Sequence, residues 1–201
     1  MLTPRRVAAV SVSPGPSESS TEVVAVDEPY VVEPAKRNRC LLILGLVAVG
    51  VIVVDQLTKH WVVAVIQPRM ESGEGPITLL GGLIKLTYTE NTGAAFSIGT
   101  GYTWIFTIVA LVVAVVILRS ARRQGSLGWA IALGGLLGGL LGNLIDRMTR
   151  EPGPGLGYVV DWIQLPNFAV FNAADSAIVC SAILMVLLAL RGIEFSGAPR
   201  A

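Results

Sequence analysis

The sequence predicts an all-α membrane protein with four transmembrane helices and a small β-hairpin outside the membrane. The composition, four long apolar runs and two β-prone runs between the first pair of spans support this fold class. Of the 201 residues, 53% are hydrophobic and 14% are charged, whereas soluble domains carry about a quarter charged residues. A net charge of +1, without a basic stripe, argues against a nucleic-acid-binding surface.

Four apolar segments are long enough to cross a bilayer, which takes about 20 residues of helix. They cover about residues 40–66, 102–118, 127–145 and 173–190. Basic residues precede the first segment, join the second to the third and follow the fourth: Lys36, Arg37, Arg39, Arg119, Arg122, Arg123 and Arg191. By the positive-inside rule we expect both termini in the cytoplasm and the other two connections outside.

The ends of the chain differ from its apolar centre. Residues 1–39 are rich in Ser, Pro, Val and Glu and show no lasting periodicity, so they are predicted to be a disordered cytoplasmic tail. A cleaved signal peptide is not favoured, because the first apolar run begins only at Cys40 and is too long. The membrane domain is expected over residues 40–192 and a second cytoplasmic tail over 193–201. The 2 cysteines have no metal-site spacing, and we expect no metal and no cofactor.

The two outer connections are unequal. Residues 67–101 contain two β-prone runs, 77–80 and 83–89, around a Gly pair. This pattern is typical of a hairpin. The other connection, residues 146–172, becomes extended and apolar over 158–163, and we interpret that part as a loop resting on the membrane interface.

Asp161 and Asp175 form the candidate catalytic pair. Both lie at the edge of membrane-embedded sequence, where acidic residues are costly and tend to be functional. Two carboxylates held close share a proton, because both cannot ionise readily. One can then take a proton from water while the other polarises a carbonyl group, which suits peptide hydrolysis. Two solvated interfacial carboxylates are the alternative, and the spacing alone does not decide between them.

Other charged residues have a structural interpretation. Asp55 and Lys59 are four apart on one helix face and can pair. A structural ion pair, with Lys59 extending to the headgroups, explains both charges without chemistry. Asp146 and Arg147 are expected to form an ordinary ion pair at the outer interface. Asn143 belongs to neither pair. It is an amide within the third span, and we expect it to contact a polar network or a substrate.

The third span carries small residues every three or four positions: Gly134, Gly135, Gly138, Gly139 and Gly142. Small residues at that spacing let two helices approach closely. We therefore predict a helix-packing face there and no binding function for it.

Two other classes of function remain open on the residues alone. A small transporter or channel subunit would use the charged residues of the spans as an ion path, but the spans lack the internal repeat common in transporters. A serine–lysine protease would pair Lys59 with Ser97 or Ser176. It would leave both aspartates unexplained.

Five short motifs occur in order: DQLTK at 55–59, NTGAAF at 91–96, GNLIDR at 142–147, VDW at 160–162 and FNAAD at 171–175. Together they resemble the motif set of the bacterial lipoprotein signal peptidase family, also called signal peptidase II. The resemblance covers roughly residues 40–191. Any one motif alone would be weak, but five in this order on four spans are specific. Trp162 departs slightly, since the aromatic residue there is often Phe.

The resemblance implies an aspartic endopeptidase of the inner (cytoplasmic) membrane, with its active site near the outer face. Such an enzyme removes signal peptides from prolipoproteins by cutting before a diacylglyceryl-modified cysteine. Asp161 and Asp175 match the family's catalytic pair. Positions that shape or line the family's site are matched by Asp55, Lys59, Asn91, Gly93, Asn143, Arg147 and Asn172.

The resemblance also implies a small β-cradle on the membrane surface, in agreement with the predicted hairpin. The implied partners are diacylglyceryl-modified prolipoproteins, membrane lipid and globomycin-type cyclic peptide inhibitors. No nucleic acid is expected as a partner, and we expect a monomer.

Overall fold

The computed structural model describes residues 32–93 and 103–198. Within these residues the helices are α1 (Pro34–Trp61), α2 (Gln67–Glu71), α3 (Thr103–Ala121), α4 (Leu127–Thr149) and α5 (Ala173–Leu190), and the strands are β1 (Ile77–Leu79), β2 (Ile84–Asn91) and β3 (Val159–Gln164). A π-helical turn, Val62–Ile66, joins α1 to α2. Four helical stretches are long and apolar enough to cross a membrane, namely Pro34–Glu71, α3, α4 and α5. They confirm the four predicted spans of a multi-pass membrane protein.

Helix α1 begins at Pro34, earlier than the predicted start of the span at residue 40. Proline suits the first helical position, because its missing N–H has no helical partner there and its φ is preset. Hydropathy marks where the apolar run begins, and the helix extends beyond that run into basic residues. Most of the predicted tail, residues 1–31, lies outside the described residues.

Helix α4 packs against α1, α3 and α5. A Cβ atom at Gly138 would lie 2.7 Å from the carbonyl oxygen of Ala48 in α1, and one at Gly139 would lie 2.5 Å from that of Ala174 in α5. Consecutive helical residues point about 100° apart, so adjacent glycines of one doublet serve different neighbours. The predicted packing face is therefore confirmed, and it is two-sided.

The strands form one antiparallel sheet in the order β1-β2-β3. The predicted β1–β2 hairpin is confirmed, and Gly82 in its turn has φ +100°, a conformation that favours glycine. The sequence predicts an interfacial loop over 158–163. The structure instead has β3 there, because this segment pairs with β2 and places Asp161 opposite Thr89.

A small apolar core attaches the sheet to the helices. Val62 and Ile66 of the π-helical turn and Val160 of β3 are fully buried against one another. This contact places β3 beside the end of α1. The candidate residue next to Val160, Asp161, is thereby held at the same end of the bundle.

We predict that Gly138→Ala lowers the thermal stability of the detergent-solubilised protein. The new methyl group would press on the α1 backbone, and overpacking of this kind costs about 1–3 kcal/mol. The matched control is Gly45→Ala, since a Cβ at Gly45 meets nothing within 4 Å and alanine favours a helix by about 1 kcal/mol over glycine. A Gly138→Ala protein as stable as the Gly45→Ala protein would contradict the packing argument.

Candidate active site

The predicted site residues meet at one end of the bundle, where α1 and α4 end, α5 begins and β3 passes. They come from separate parts of the chain, and an unbroken series of hydrogen bonds and ion pairs joins them. Its members are Asp55 and Lys59 from α1, Asn91 from β2, Gly93 after β2, Asn143 and Arg147 from α4, Asp161 from β3, Asn172 before α5 and Asp175 in α5.

The Lys59 ammonium lies at the centre of the helical part of this cluster. Its Nζ is 2.8 Å from Asp55 Oδ2 and 3.0 Å from Asp146 Oδ2, and it donates to Asn143 Oδ1 at 2.9 Å. An ammonium has three donors, and these three acceptors use them all. The predicted Asp55–Lys59 pair is confirmed, but Lys59 is fully buried and does not extend to the headgroups. It instead joins α1 to α4.

Asp146 has a role that its sequence position does not reveal. It pairs with Lys59 and with Arg150 Nε, at 3.1 Å, so the expected pair with Arg147 is wrong. Its Oδ2 also accepts a hydrogen bond of 3.1 Å from the backbone N–H of Val160. Asp146 therefore attaches α4 to β3 at the residue before Asp161. In the sequence, the only local indication of these contacts is that Arg150 follows Asp146 by four residues, a spacing at which two helical side chains can pair.

Asp175 lies in the first turn of α5 and forms a capping box with Asn172. Asn172 Oδ1 accepts the Asp175 N–H at 2.9 Å, and Asp175 Oδ2 accepts the Asn172 N–H at 3.1 Å. The other oxygen, Asp175 Oδ1, accepts a bond of 2.7 Å from Asn143 Nδ2. Asp55 Oδ1 accepts the Ala174 N–H at 3.0 Å. Helix α5 thus begins among negative groups, which its dipole favours.

Asp161 projects from β3 and is 2% exposed. Its Oδ1 accepts a 2.7 Å hydrogen bond from Asn172 Nδ2, and its Oδ2 accepts one of 2.8 Å from Asn91 Nδ2. Burial, together with the negative charge of Asp175, raises the pKa of Asp161 to about 7 against the opposing effects of these amides. Asn172 donates to Asp161 from its side chain and to the Asp175 carboxylate from its backbone N–H, and so bridges the two carboxylates.

Arg147 is buried and forms no ion pair with a carboxylate among the described residues. Its Nη2 donates to the carbonyl oxygen of Gly93 at 2.8 Å, and its guanidinium lies 5.7 Å from the centre of the Phe106 ring. The Gly93 N–H in turn donates to Asn91 Oδ1 at 3.0 Å. Arg147 therefore holds the chain after β2 in place, and with it the amide that contacts Asp161.

No group of three or more His, Cys, Asp or Glu side chains able to hold a metal ion occurs within residues 32–93 and 103–198. The acidic residues of the cluster are bound instead by a lysine, an arginine and amides. The expectation that the protein uses no metal and no cofactor stays a prediction.

The chain is similar to known proteins. A family model described as "Signal peptidase (SPase) II" matches residues 47–191. Three relatives bear the name lipoprotein signal peptidase. The one from Mycobacterium tuberculosis (strain ATCC 25618 / H37Rv) is 40% identical over 183 residues, covering 91% of this chain and 87% of the relative. The one from Streptomyces coelicolor is 47% identical over 165 residues (82% and 78%). The one from Leifsonia xyli is 48% identical over 158 residues (78% and 71%).

Two solved structures described as bacterial membrane enzymes are similar in fold. The first has a TM-score of 0.63 and 27% sequence identity, and the alignment covers 78% of this chain and 92% of that one. The second has a TM-score of 0.61 and 28% identity, with coverage of 73% and 91%. Because the family model spans most of the chain and the relatives are similar over most of their own length, the chain belongs to the signal peptidase II family.

Proposed function

We propose that this protein is an aspartic endopeptidase that removes signal peptides from prolipoproteins, with Asp161 and Asp175 as its catalytic pair. Family membership supports the processing of lipoprotein signal peptides. Cleavage before a diacylglyceryl-modified cysteine is the position that the resemblance implies. The observation that supports the aspartic mechanism is that one residue, Asn172, donates to both carboxylates, through its side-chain NH₂ to Asp161 and through its backbone N–H to Asp175.

The proposed chemistry needs one proton shared by the pair. Asp161 is buried beside Asp175, and its raised pKa of about 7 keeps a proton available near neutral pH. The ionised member of the pair takes a proton from water, and the water oxygen bonds to the scissile carbonyl carbon. The protonated member donates its proton to the carbonyl oxygen. When the tetrahedral intermediate collapses, the carbon–nitrogen bond breaks and the aspartate that took the water proton gives it to the leaving nitrogen. The other aspartate takes back a proton from a hydroxyl of the intermediate, so the product carboxyl forms and the pair again shares one proton.

The other residues have positioning roles in this proposal. Asn143 and Asn172 orient Asp175, while Asn91 and Asn172 orient Asp161. Such orientation matters because a misplacement of about 1 Å can cost 10²-fold in rate.

The serine–lysine alternative is not supported by the contacts. A lysine base needs a free lone pair, but the Lys59 ammonium is bound by two carboxylates and an amide oxygen. Ser176 donates its hydroxyl to the carbonyl oxygen of Asn172 at 3.0 Å. Ser97 lies outside the described residues.

We further infer that both termini face the cytoplasm and that the catalytic pair lies near the outer face of the membrane. The basic residues in the first turns of α1, at the end of α3 and before α4, and after α5 support this orientation. The candidate site is at the opposite end of the helices, where α1 and α4 end. A prolipoprotein crossing the membrane would present its cleavage site at that end.

We predict that Asp161→Asn and Asp175→Asn each abolish cleavage of a lipidated preprolipoprotein. An amide can neither take a proton from water nor supply an acidic one, and acid–base groups contribute about 10²–10⁴-fold. Cleavage is followed by gel mobility, with membrane insertion of each variant as the folding control. Ser176→Ala is the matched control and should retain activity. Full cleavage by either aspartate variant would remove the dyad from the mechanism.

The raised pKa of Asp161 predicts that the stability of the folded protein falls as the pH rises. The ordinary pKa of an aspartate in an unfolded chain is about 3.9, and that of folded Asp161 is about 7. The folded state therefore binds this proton more tightly than the unfolded state does. The stabilisation that results is complete below about pH 4 and is lost as the pH rises to about 7.

The melting temperature of the wild type minus that of Asp161→Asn should therefore decrease from about pH 5 to about pH 8. The measured quantity is how this difference changes with pH, because the loss of amide contacts in the variant lowers its melting temperature by a similar amount at every pH. A difference that stays flat, or that grows with pH, would show that the pKa of Asp161 is not raised in the folded protein.

We predict that a phosphatase or fluorescent-protein fusion to the C-terminus will report a cytoplasmic location. The positive-inside rule places the basic connection between α3 and α4 in the cytoplasm. Since α4 and α5 then cross the membrane out and back, the C-terminus lies on the same side. A fusion within the turn of the β1–β2 hairpin serves as the opposite control and should report an outer location. Equal signals at the two sites would contradict the inferred orientation.

A further inference from the structure

Two of the three amides around the aspartates are oriented by backbone N–H groups. Asn172 Oδ1 accepts the N–H of Asp175 at 2.9 Å, and Asn91 Oδ1 accepts the N–H of Gly93 at 3.0 Å. A backbone N–H can only donate, so the oxygen of each amide must face it. The NH₂ groups of both amides are consequently turned toward Asp161, at 2.7 Å and 2.8 Å.

The third amide, Asn143, is oriented by side chains. The Lys59 ammonium, which has donors and no acceptor, donates to Asn143 Oδ1 at 2.9 Å. Asn172 Nδ2 also donates to that oxygen, at 3.1 Å, with the second hydrogen of the NH₂ group that donates to Asp161. With its oxygen facing these two donors, Asn143 presents its NH₂ group to Asp175 Oδ1 at 2.7 Å.

As a result, each of the four carboxylate oxygens of Asp161 and Asp175 accepts an N–H from this network. The donors are three amide NH₂ groups and the backbone N–H of Asn172, and none of these groups can accept a hydrogen bond. An acidic proton on either aspartate therefore finds no acceptor among these groups. Its remaining partners are the other carboxylate, a water molecule and the substrate carbonyl.

We propose that Lys59 is a positioning residue that keeps the shared proton available to the substrate carbonyl, through its control of the orientation of Asn143. The proposal deepens the proposed function and rests on it, because it takes Asp161 and Asp175 as the catalytic pair. Lys59 is the charged one of the two groups that orient Asn143, and its bond of 2.9 Å is shorter than the 3.1 Å bond from Asn172. Without Lys59, only the Asn172 bond holds the Asn143 oxygen, so the amide can turn over and accept a hydrogen bond from a protonated Asp175, which withdraws that proton from the reaction.

The test uses a charge-balanced variant of the full chain in detergent. Lys59→Met alone would leave Asp55 and Asp146 buried without their cation, which is strongly destabilising. Lys59→Met combined with Asp55→Asn removes one charge of each sign, and the asparagine oxygen can still accept the Ala174 N–H. Against Asp55→Asn alone, we expect kcat to fall about tenfold to hundredfold, with KM changed less than about twofold. Equal kcat values would overturn the proposal.

A second comparison tests whether Lys59 acts through Asn143. In the Asp55→Asn background, Asn143→Ala should lower kcat about as much as Lys59→Met does. With both substitutions present, the further loss should be less than about threefold, since interacting residues are not additive. Full multiplication of the two losses would show that Lys59 acts by another route, and that result would also overturn the proposal.

A measurement on the unaltered protein needs no cleavage assay, and a variant is used only to assign the resonances. The side-chain NH₂ resonances of Asn143, assigned by their loss in Asn143→Ser, should shift with pH as the aspartate pair titrates. Resonances that do not respond to pH would show that Asn143 does not donate to Asp175. Because this readout reports amide orientation alone, its failure is distinct from failure of the proposed function, which cleavage by the aspartate variants would reveal.

Discussion

The burial of the Lys59 charge is the constraint on which the rest of the site depends. An ammonium without water needs carboxylates and hydrogen-bond acceptors around it, and here Asp55, Asp146 and Asn143 supply them. Removing one member of a buried pair costs about 3–5 kcal/mol, so the members are required together. The cluster consequently fixes which turn of α1 faces which turn of α4, and the glycines of α4 permit the close approach that this register needs.

The same cluster transmits that register to the candidate catalytic pair. Asp146 contacts Lys59 with the oxygen that also accepts the Val160 N–H, so β3 is placed relative to α4. Asp55 accepts the N–H of Ala174 and places the start of α5. One aspartate of the pair follows Val160 and the other follows Ala174. A single buried cation thus sets the backbone positions of both members of the proposed catalytic pair.

Much of this architecture could be predicted from local sequence. Hydropathy located the spans, the Gly pair located the hairpin, and ordered motifs named the residues that meet in the cluster. The pairing of β3 with β2 could not be predicted, because Thr89 and Asp161 are far apart in the chain and a short apolar run carries no partner information. The partners of Asp146 were missed for the same reason: a neighbour in sequence, Arg147, was preferred to Lys59 across the bundle.

The two aspartates belong to different kinds of element, a strand beside the bundle and a transmembrane helix. Transmembrane helices can tilt when the thickness of the surrounding bilayer changes, whereas a short strand has no such response of its own. We therefore expect the separation of the two carboxylates to depend on the tilt of α5. Asn172, which donates to the Asp161 carboxylate from the start of α5, is the residue that would resist such a displacement.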